Sequence, residues 1–288
     1  MAQAAYAFEG TGEGERQGEG RGESGTKDAP RLSVSLFADD AGLRQSIGED
    51  VTAAGFRLGA ELRAVGIDFS FAPVVDLDDH RCAAIGDRSF GTDPRAVIDL
   101  AGAVLSGLDA AGVAACLKHF PGHGGVTGDT HVEFPVDSRS LAQLLERDLA
   151  PFVALASRAA AVMPAHVEFP AVAPGPVGFS SRWLKAVLRD QCGFAGIVFS
   201  DDLAMAAATV AGMPLQRVRA ALAAGCDAAL FCNRPQELGL LLDELRDQPA
   251  PPSDFSALRP TGSAPMELAA VGQDSLDAEL IALERLDS

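Results

Sequence analysis

The sequence GVAACLKHF at residues 112–120 indicates the fold of this chain most directly. It has the length of a strand, begins at a glycine, continues through five apolar residues and then reaches Lys118 and His119. Four further segments combine a short apolar run with a glycine or polar boundary: GIDFSFAPVVD at 66–76, AAAVMPAH at 159–166, GIVFSDD at 196–202 and GCDAALFCN at 225–233. Because these runs are apolar on both faces, they predict parallel strands buried under helices.

The segments between these strands carry helix start signals. Asp93 and Pro94 form the start of one helix, Ser140 and Gln143 have the spacing of a capping box, and two serines precede the run RWLKAVL. Five βα units in series predict a parallel α/β sheet, either open or closed into a barrel. No GxGxxG or Walker loop follows a strand, which disfavours a nucleotide site.

Length, composition and charge exclude several classes of protein. The chain has 288 residues, of which 48% are hydrophobic, enough for the core of one large domain or two small ones. A net charge of -17 disfavours binding to nucleic acid or to an anionic membrane and leaves a small molecule or another protein as the partner. No apolar run reaches about 18 residues and no signal-peptide pattern is present, so we expect a cytoplasmic protein.

The five cysteines predict buried thiols rather than disulfides or a zinc site. Their number is odd, they lie mostly in or beside apolar segments, and they form no CxxC pair. They are Cys82, Cys116, Cys192, Cys226 and Cys232.

The two ends of the chain differ in composition from its centre. Residues 1–30 are rich in Gly and Glu and poor in large apolar side chains, which predicts a flexible tail ahead of one domain at 31–288. A second stretch rich in proline and small residues, at 246–265, precedes a final helical pattern at 266–286.

Polar side chains gather where the predicted strands end. Ligands bind at the carboxyl ends of the strands in both open and closed parallel sheets, so these side chains predict one shared site. They are Asp76, Lys118, His119, His166, Asp201 and Asp202. Of the two adjacent aspartates, Asp201 is expected to face the site and Asp202 to bond to the backbone or to a basic neighbour.

The segment KHFPGHGGVTGDTH at 118–131 contains three of the five histidines. His119 and His123 have the spacing of a helical zinc pair, but Pro121 and Gly122 lie between them and no HExxH is present, so a metal site is disfavoured. The composition is typical of a loop over a pocket that carries a catalytic group.

Two interpretations of Asp129 and His131 stay open on spacing alone. A carboxylate two residues from an imidazole can hold and polarise it, which makes a proton donor near neutral pH, or both belong to a solvated loop. Arg88, in IGDRSFGTDP at 85–94, is either a surface charge or, with the basic residues of the next strand end, a group that orients a polyhydroxy or anionic substrate. The clustering favours the second interpretation.

Taken together, the motifs resemble a known family. KHFPGHG followed by Asp-x-His, FAPVVD, IGDRSF, MPAH and SDDLAM are similar to glycoside hydrolase family 3, specifically to its single-domain β-N-acetylhexosaminidases that recycle bacterial cell-wall fragments. The resemblance runs from about residue 53 to about residue 233. It implies a (β/α)8 TIM-type barrel and a retaining double displacement that uses neither a metal nor an organic cofactor.

The resemblance also implies a role for each site residue. Asp201 matches the nucleophile, and His131 matches the acid/base, held by Asp129. Residues that would hold the hydroxyls of a terminal N-acetylglucosamine or line its pocket are Arg88, Lys118, His119, Asp76 and His166.

One part of the family pattern is absent. The family carries an Asp-Gln-Glu-Gly-Gly-Arg stretch on a strand before the one that ends at Asp76, and this sequence has no such stretch. We therefore expect a barrel that is incomplete at its N-terminus, with about five clear strands of eight. Missing strands leave open sheet edges, which invite pairing with another chain.

Three functions follow from these features. The leading interpretation is an exo-acting β-N-acetylglucosaminidase that acts on saccharide fragments of peptidoglycan. The alternative is an inactive, abbreviated homologue that survives as a binding or interaction protein or as a relic. A further alternative is a phosphorylase or β-glucosidase of the same family.

Overall fold

The computed structural model describes residues 41–79, 81–82, 84–126, 135–246 and 254–262. The predicted tail at 1–30 and the final helical pattern lie outside the described residues. Within the described ranges, no helix combines the length and the hydropathy needed to cross a membrane.

Five parallel strands form the central sheet. The strands in chain order are β1 (Phe69–Ser70), β2 (Ala114–Phe120), β3 (Ala161–Pro164), β4 (Glu168–Phe169), β5 (Ala173–Pro176), β6 (Ile197–Asp202) and β7 (Ala228–Leu230). The sheet has the order β1-β2-β3-β6-β7, while β4 and β5 form a separate antiparallel pair. All five predicted strands are confirmed, and the β4–β5 pair was not predicted.

Helices connect these strands. They are α1 (Ala41–Ala64), α2 (Pro94–Ala110), α3 (Leu141–Glu146), α4 (Ala150–Leu155), a π-helical segment (Arg182–Gln191), α5 (Pro214–Ala224) and α6 (Pro235–Leu245), with short 3₁₀ turns at Gly86–Arg88, Ala156–Arg158, Val177–Phe179, Ala206–Ala211 and Ser256–Leu258. Two of the three predicted start signals are confirmed: Asp93 accepts the Arg95 N–H at 3.1 Å, and Ser140 and Gln143 form a capping box. A helical segment does follow the two serines, but the Ser181 side chain makes no capping bond.

The strand order distinguishes a barrel from an open doubly wound sheet. Neighbouring strands follow one another along the chain in a single direction, with parallel pairing between β1 and β2, β2 and β3, β3 and β6, and β6 and β7. A doubly wound sheet would reverse its order at a switch point. The described strands therefore wind as in a (β/α)8 barrel, of which they supply five of eight positions.

The two faces of each central strand pack into different cores. In β3, Val162 belongs to the large core under the helices, while Ala161 and Met163 belong to a smaller cluster on the opposite face. In β6, Val198 and Phe199 divide in the same way. This period of two explains why the strands read as continuous apolar runs, since both faces are buried.

Aromatic rings fill the smaller cluster. Phe69 stacks on Phe199 with ring centroids 5.3 Å apart, and Phe71 meets Phe199 edge-on at 5.2 Å. Phe255, from the last described segment, also contacts Phe199, at 6.5 Å. Side chains thus fill the inside of the curled sheet, as in complete barrels.

Helices α1 and α2 approach so closely that their contact requires glycine. A Cβ at Gly55 would lie 2.7 Å from the Val104 carbonyl oxygen, and a Cβ at Gly107 would overlap the Thr52 carbonyl oxygen and the Phe56 amide nitrogen. The backbones of the two helices are therefore in direct contact.

Gly107→Ala tests this contact. We expect it to lower the free energy of unfolding by about 2 kcal/mol, because the cost of overpacking exceeds the gain in helix propensity. The matched control is Gly239→Ala on α6, where nothing lies within 4 Å of the added methyl and stability should rise by up to about 1 kcal/mol. Urea denaturation measures both. Equal effects of the two substitutions would contradict the close packing of α1 and α2.

Candidate functional site

The site lies where β1, β2, β3 and β6 end. After β1 the chain continues beside β2, since the Val75 N–H donates to the Lys118 carbonyl at 2.8 Å and Val74 forms a parallel bridge with Lys118. This pairing delivers Asp76 to the end of β2. The Ser89 hydroxyl donates to the Asp76 carbonyl at 2.7 Å, which ties the following loop to the same place.

The Asp76 carboxylate holds the chain as it leaves β2. It accepts the backbone N–H of His119 at 3.1 Å, the backbone N–H of His123 at 2.7 Å, and the His119 ring nitrogen Nδ1 at 2.7 Å. An ionised carboxylate only accepts, so Nδ1 carries the proton. Asp76 is fully buried.

Electrostatics favour the ionised form of Asp76. Burial by itself raises the pKa of this carboxyl, but the charge and hydrogen bond of His119, together with His123, outweigh burial and bring the pKa below its ordinary value. Asp76 is thus a buried anion whose carboxylate oxygens accept hydrogen bonds from the protein itself.

His123 lies behind this arrangement. Its side chain is buried, its Nδ1 lies 3.2 Å from the Cys82 sulfur, and its ring centroid is 5.9 Å from that of His119. Burial, followed by the nearby His119, lowers the pKa of His123, so the neutral imidazole is favoured. The described part of the chain brings no group of three or more His, Cys, Asp or Glu residues together as a metal site.

Asp202 bonds to the backbone, which is one of the two contacts expected for it. Asp202 accepts the backbone N–H groups of Ala204 and Cys232, each at 2.8 Å, so its side chain fixes the loop after β6. Asp201 is half-buried and accepts the Asp202 N–H at 2.8 Å.

Two imidazoles, a lysine and a backbone amide lie close to Asp201. Burial alone raises the pKa of its carboxyl, but His166, His119, the Asp202 N–H and Lys118 together lower the pKa below its usual value. Three of the predicted site residues are therefore close enough to stabilise this anion. At neutral pH, Asp201 is a carboxylate in a low-dielectric environment.

His166 is held by the backbone on one side of its ring. Its Nε2 lies 3.1 Å from the Asp202 carbonyl oxygen, which can only accept, so Nε2 carries a proton. The ring stacks on Phe179 with centroids 5.6 Å apart and is fully buried. Burial lowers the pKa of His166 despite the nearby Asp201, so the neutral ring is favoured.

The described hydrogen bonds of Arg88 do not connect it to this cluster. Its guanidinium is exposed, and its Nε donates at 2.8 Å to the carbonyl of Ala84 in its own loop. Asp129 and His131, the predicted proton donor and its partner, lie outside the described residues.

Sequence reasoning missed one ion-paired group beside the site, in which two buried carboxylates hold a partly buried guanidinium. The Arg139 guanidinium bonds to both Asp137 and Asp148, each contact reaching 2.6 Å. Both carboxylates are almost fully buried. The available signal was the Asp-x-Arg spacing just before the capping box, but Asp148 is nine residues away from Arg139 along the chain.

Comparison with known proteins finds relatives that share one name, beta-hexosaminidase. A beta-hexosaminidase of Thiobacillus denitrificans is 54% identical over 199 residues, which cover 68% of this chain and 55% of the relative. One of Bordetella avium is 50% identical over 215 residues, covering 74% and 61%. The chain therefore spans less than two thirds of the length of these relatives.

Solved structures agree with these relatives. NagZ from Neisseria gonorrhoeae, in complex with N-trifluoroacetyl-D-glucosamine, has a TM-score of 0.72 and 42% identity, covering 85% of this chain and 71% of that one. A family 3 beta-N-acetylglucosaminidase from Paenibacillus has a TM-score of 0.66 and 36% identity, covering 69% and 38%.

The match to a family extends over most of the chain. Residues 24–249 match the N terminal domain of glycosyl hydrolase family 3. This range includes every described strand and all the candidate site residues. The chain belongs to glycosyl hydrolase family 3.

Proposed function

We propose that this protein is a retaining exo-β-N-acetylglucosaminidase that releases terminal N-acetylglucosamine from saccharides, including peptidoglycan-derived fragments. The observation that carries the proposal is the position of Asp201, a half-buried carboxylate at the ends of parallel strands with His166, His119 and Lys118 close enough to lower its pKa. The names of the beta-hexosaminidase relatives and the glucosamine derivative bound to the gonococcal structure support the substrate class.

The proposed chemistry is a double displacement. In the first step an Asp201 oxygen bonds to the anomeric carbon while the bond to the leaving oxygen breaks, and His131 gives that oxygen its proton. In the second step His131 takes a proton from water, the hydroxyl attacks the anomeric carbon, and the Asp201 carboxylate is released. Two inversions give net retention. Asp129 holds the His131 imidazole.

The nucleophile must be charged for the first step. The lowered pKa of Asp201 keeps it ionised at neutral pH. As positive charge develops on the sugar, an anion beside it is stabilising, and a partly desolvated site strengthens that attraction.

Sugar hydroxyls are assigned to Lys118 and His119 and, by the family resemblance, to Arg88, whose described hydrogen bonds lie within its own loop. Lys118 offers three N–H donors, and the Asp76 bond to Nδ1 of His119 directs the other ring nitrogen away from that carboxylate. Asp76 contributes by orienting His119, because its own oxygens are already occupied. His166 contributes through its position beside Asp201.

A histidine acid also suits an anionic substrate. A carboxylic acid in that role would place a second negative charge near the carboxylates of a peptidoglycan fragment, whereas an imidazole does not.

A second candidate is an inactive homologue whose role is to bind or interact with another molecule. The absent Asp-Gln-Glu-Gly-Gly-Arg stretch favours loss of activity, because by the family resemblance its aspartate grips the sugar that is cleaved. A chain that unfolds in a cooperative thermal transition and does not hydrolyse the aryl N-acetylglucosaminide would support this candidate.

Asp201→Ala tests the nucleophile. We expect kcat for 4-nitrophenyl β-N-acetylglucosaminide to fall by at least about a thousandfold, since no other group forms the covalent intermediate. The control is Asp190→Ala, an exposed aspartate at the end of the π-helical segment, which should keep parental activity. Release of 4-nitrophenol measures both. Undiminished turnover in Asp201→Ala would refute the nucleophile assignment.

His131→Ala tests the proton donor. We expect kcat/KM for the same substrate to fall by about a hundredfold or more, the usual contribution of general acid catalysis. Asp129→Asn should cause a smaller loss, because the imidazole stays but its partner no longer carries charge. A larger loss for Asp129→Asn than for His131→Ala would reverse the assigned roles.

Asp76→Asn tests the carboxylate that orients His119. At pH 7 we expect KM to rise and the free energy of unfolding to fall by about 3 kcal/mol, because three N–H donors lose a charged acceptor. The lowered pKa of Asp76 means that this stabilisation is complete above the unfolded value of about 3.9 and is lost as the pH falls through the lower folded value.

Urea denaturation at pH 7, 5 and 3 measures this contribution. The stability difference between the parent and Asp76→Asn should therefore be present at pH 7 and 5 and shrink at pH 3. A difference that grows as the pH falls would contradict the assigned role, and Asp190→Asn serves as the control that should show no difference at any of these pH values.

A further inference from the structure

The ion-paired group formed by Arg139, Asp137 and Asp148 has no role in the chemistry proposed above. It lies beside the described residues that flank segment 127–134, in which Asp129 and His131 occur. One flank, 122–126, leaves β2, and the other, 135–139, leads to α3. The group connects these two flanks.

On the second flank, Arg139 is anchored through both carboxylates. Its Nε donates to Asp137 at 2.9 Å and its Nη2 at 2.6 Å, while Nη1 and Nη2 donate to Asp148 at 2.6 and 3.1 Å. Asp148 lies between α3 and α4, so the pair also fixes the flank to the helical layer. Only a guanidinium presents donors to two carboxylates in this planar arrangement.

The charge state of the group follows from these contacts. Burial lowers the pKa of the Arg139 guanidinium, but the bonds to Asp137 and Asp148 outweigh burial and raise it above its usual value. Arg139 is therefore a permanent cation between Asp137 and Asp148. Burial raises the pKa of the Asp148 carboxyl above its ordinary value despite the bonds from Arg139.

On the first flank, two glycines pack directly against the same group. A Cβ at Gly125 would lie 3.0 Å from Arg139 Cζ and overlap its Nη2, and a Cβ at Gly122 would lie 2.7 Å from Asp148 Cβ. Gly122 also has a φ of +132°, which side chains rarely adopt. The backbone of this flank therefore rests on the ion-paired group.

The second flank has an additional attachment to the β4–β5 pair. The Asp137 N–H donates to the Glu168 carbonyl at 2.8 Å, and the Glu168 N–H donates to the Pro135 carbonyl at 3.0 Å. On the first flank, the His123 N–H is held by Asp76, so each flank has an attachment of its own, and Arg139 contacts both flanks.

We propose that Arg139, held by Asp137 and Asp148, is a positioning residue for proton transfer to the leaving group. It fixes the distance between the two flanks of the segment that contains His131. The inference rests on the proposed function, because it requires that His131 is the acid. Arg139 touches no reacting atom and acts through the backbone on either side of the segment.

The test compares substrates that differ in their need for a proton. Hydrolysis of the phenyl β-N-acetylglucosaminide requires protonation of a basic leaving group, whereas the 2,4-dinitrophenyl glycoside leaves with little assistance. For Arg139→Gln we expect kcat/KM to fall by about ten- to a hundredfold for the phenyl substrate and to change by less than about threefold for the dinitrophenyl substrate. Arg139→Lys should lose less and show the same selectivity.

The matched control is Arg189→Gln at the opposite ends of the strands. Arg189 pairs with Asp227 at 2.8 Å, and its side chain is 27% exposed against 24% for Arg139. Arg189 precedes β6. Its substitution should leave the ratio of the kcat/KM values for the phenyl and dinitrophenyl substrates unchanged. A fall of equal size for both substrates in Arg139→Gln, or no fall, would overturn the positioning role.

A second measurement separates this inference from the proposed function. Hydrogen exchange should accelerate at 122–126 in Arg139→Gln and in Arg139→Lys, and not in Arg189→Gln. A parent chain that hydrolyses neither substrate would overturn the proposed function and the role in proton transfer together. Hydrogen exchange would then still test whether Arg139 holds the two flanks together. Unchanged exchange at 122–126 in Arg139→Gln would overturn that structural role as well.

Discussion

The bond between the Asp76 carboxylate and the backbone after β2 is the constraint on which the site depends. One buried anion accepts N–H groups from His119 and His123 and from the His119 ring. These donors come from a segment more than forty residues away along the chain. Without an acceptor they would be buried and unsatisfied, which costs about 1–3 kcal/mol each. The same bonds that satisfy the backbone therefore orient the side chain assigned to the sugar.

The barrel strands make this arrangement possible by burying both faces of the sheet. Val162 and Met163 are adjacent in β3 yet pack into separate cores, one under the helices and one around Phe199. Strands held on both sides have little freedom to shift register, so their carboxyl ends are fixed relative to one another. The polar groups at those ends are positioned by the apolar residues behind them.

The sequence predicts the features that depend on local pattern. The five strands follow from apolar runs, and the capping box at Ser140 follows from spacing. It does not reveal the β4–β5 pair, because two-residue and proline-rich strands carry no alternation that could be recognised. The sequence also does not predict the pairing of Arg139 with Asp148 or the contacts of Asp76. These contacts form only when segments distant along the chain come together in the folded protein.

The electrostatics of the site oppose those of the whole chain. The protein carries a net charge of -17, which repels an anionic substrate at long range, yet imidazoles and Lys118 gather around Asp201. At about 0.15 M ionic strength the Debye length is about 8 Å, so surface charges are largely screened while buried ones are not. The groups close to Asp201 therefore influence a charged substrate in the site more than the net charge of the chain does. Burial disfavours the charged forms of His123 and His166, so these two rings do not supply a permanent positive charge to the site. The anion at Asp76 holds the His119 ring in place within this cluster through the bond to its Nδ1.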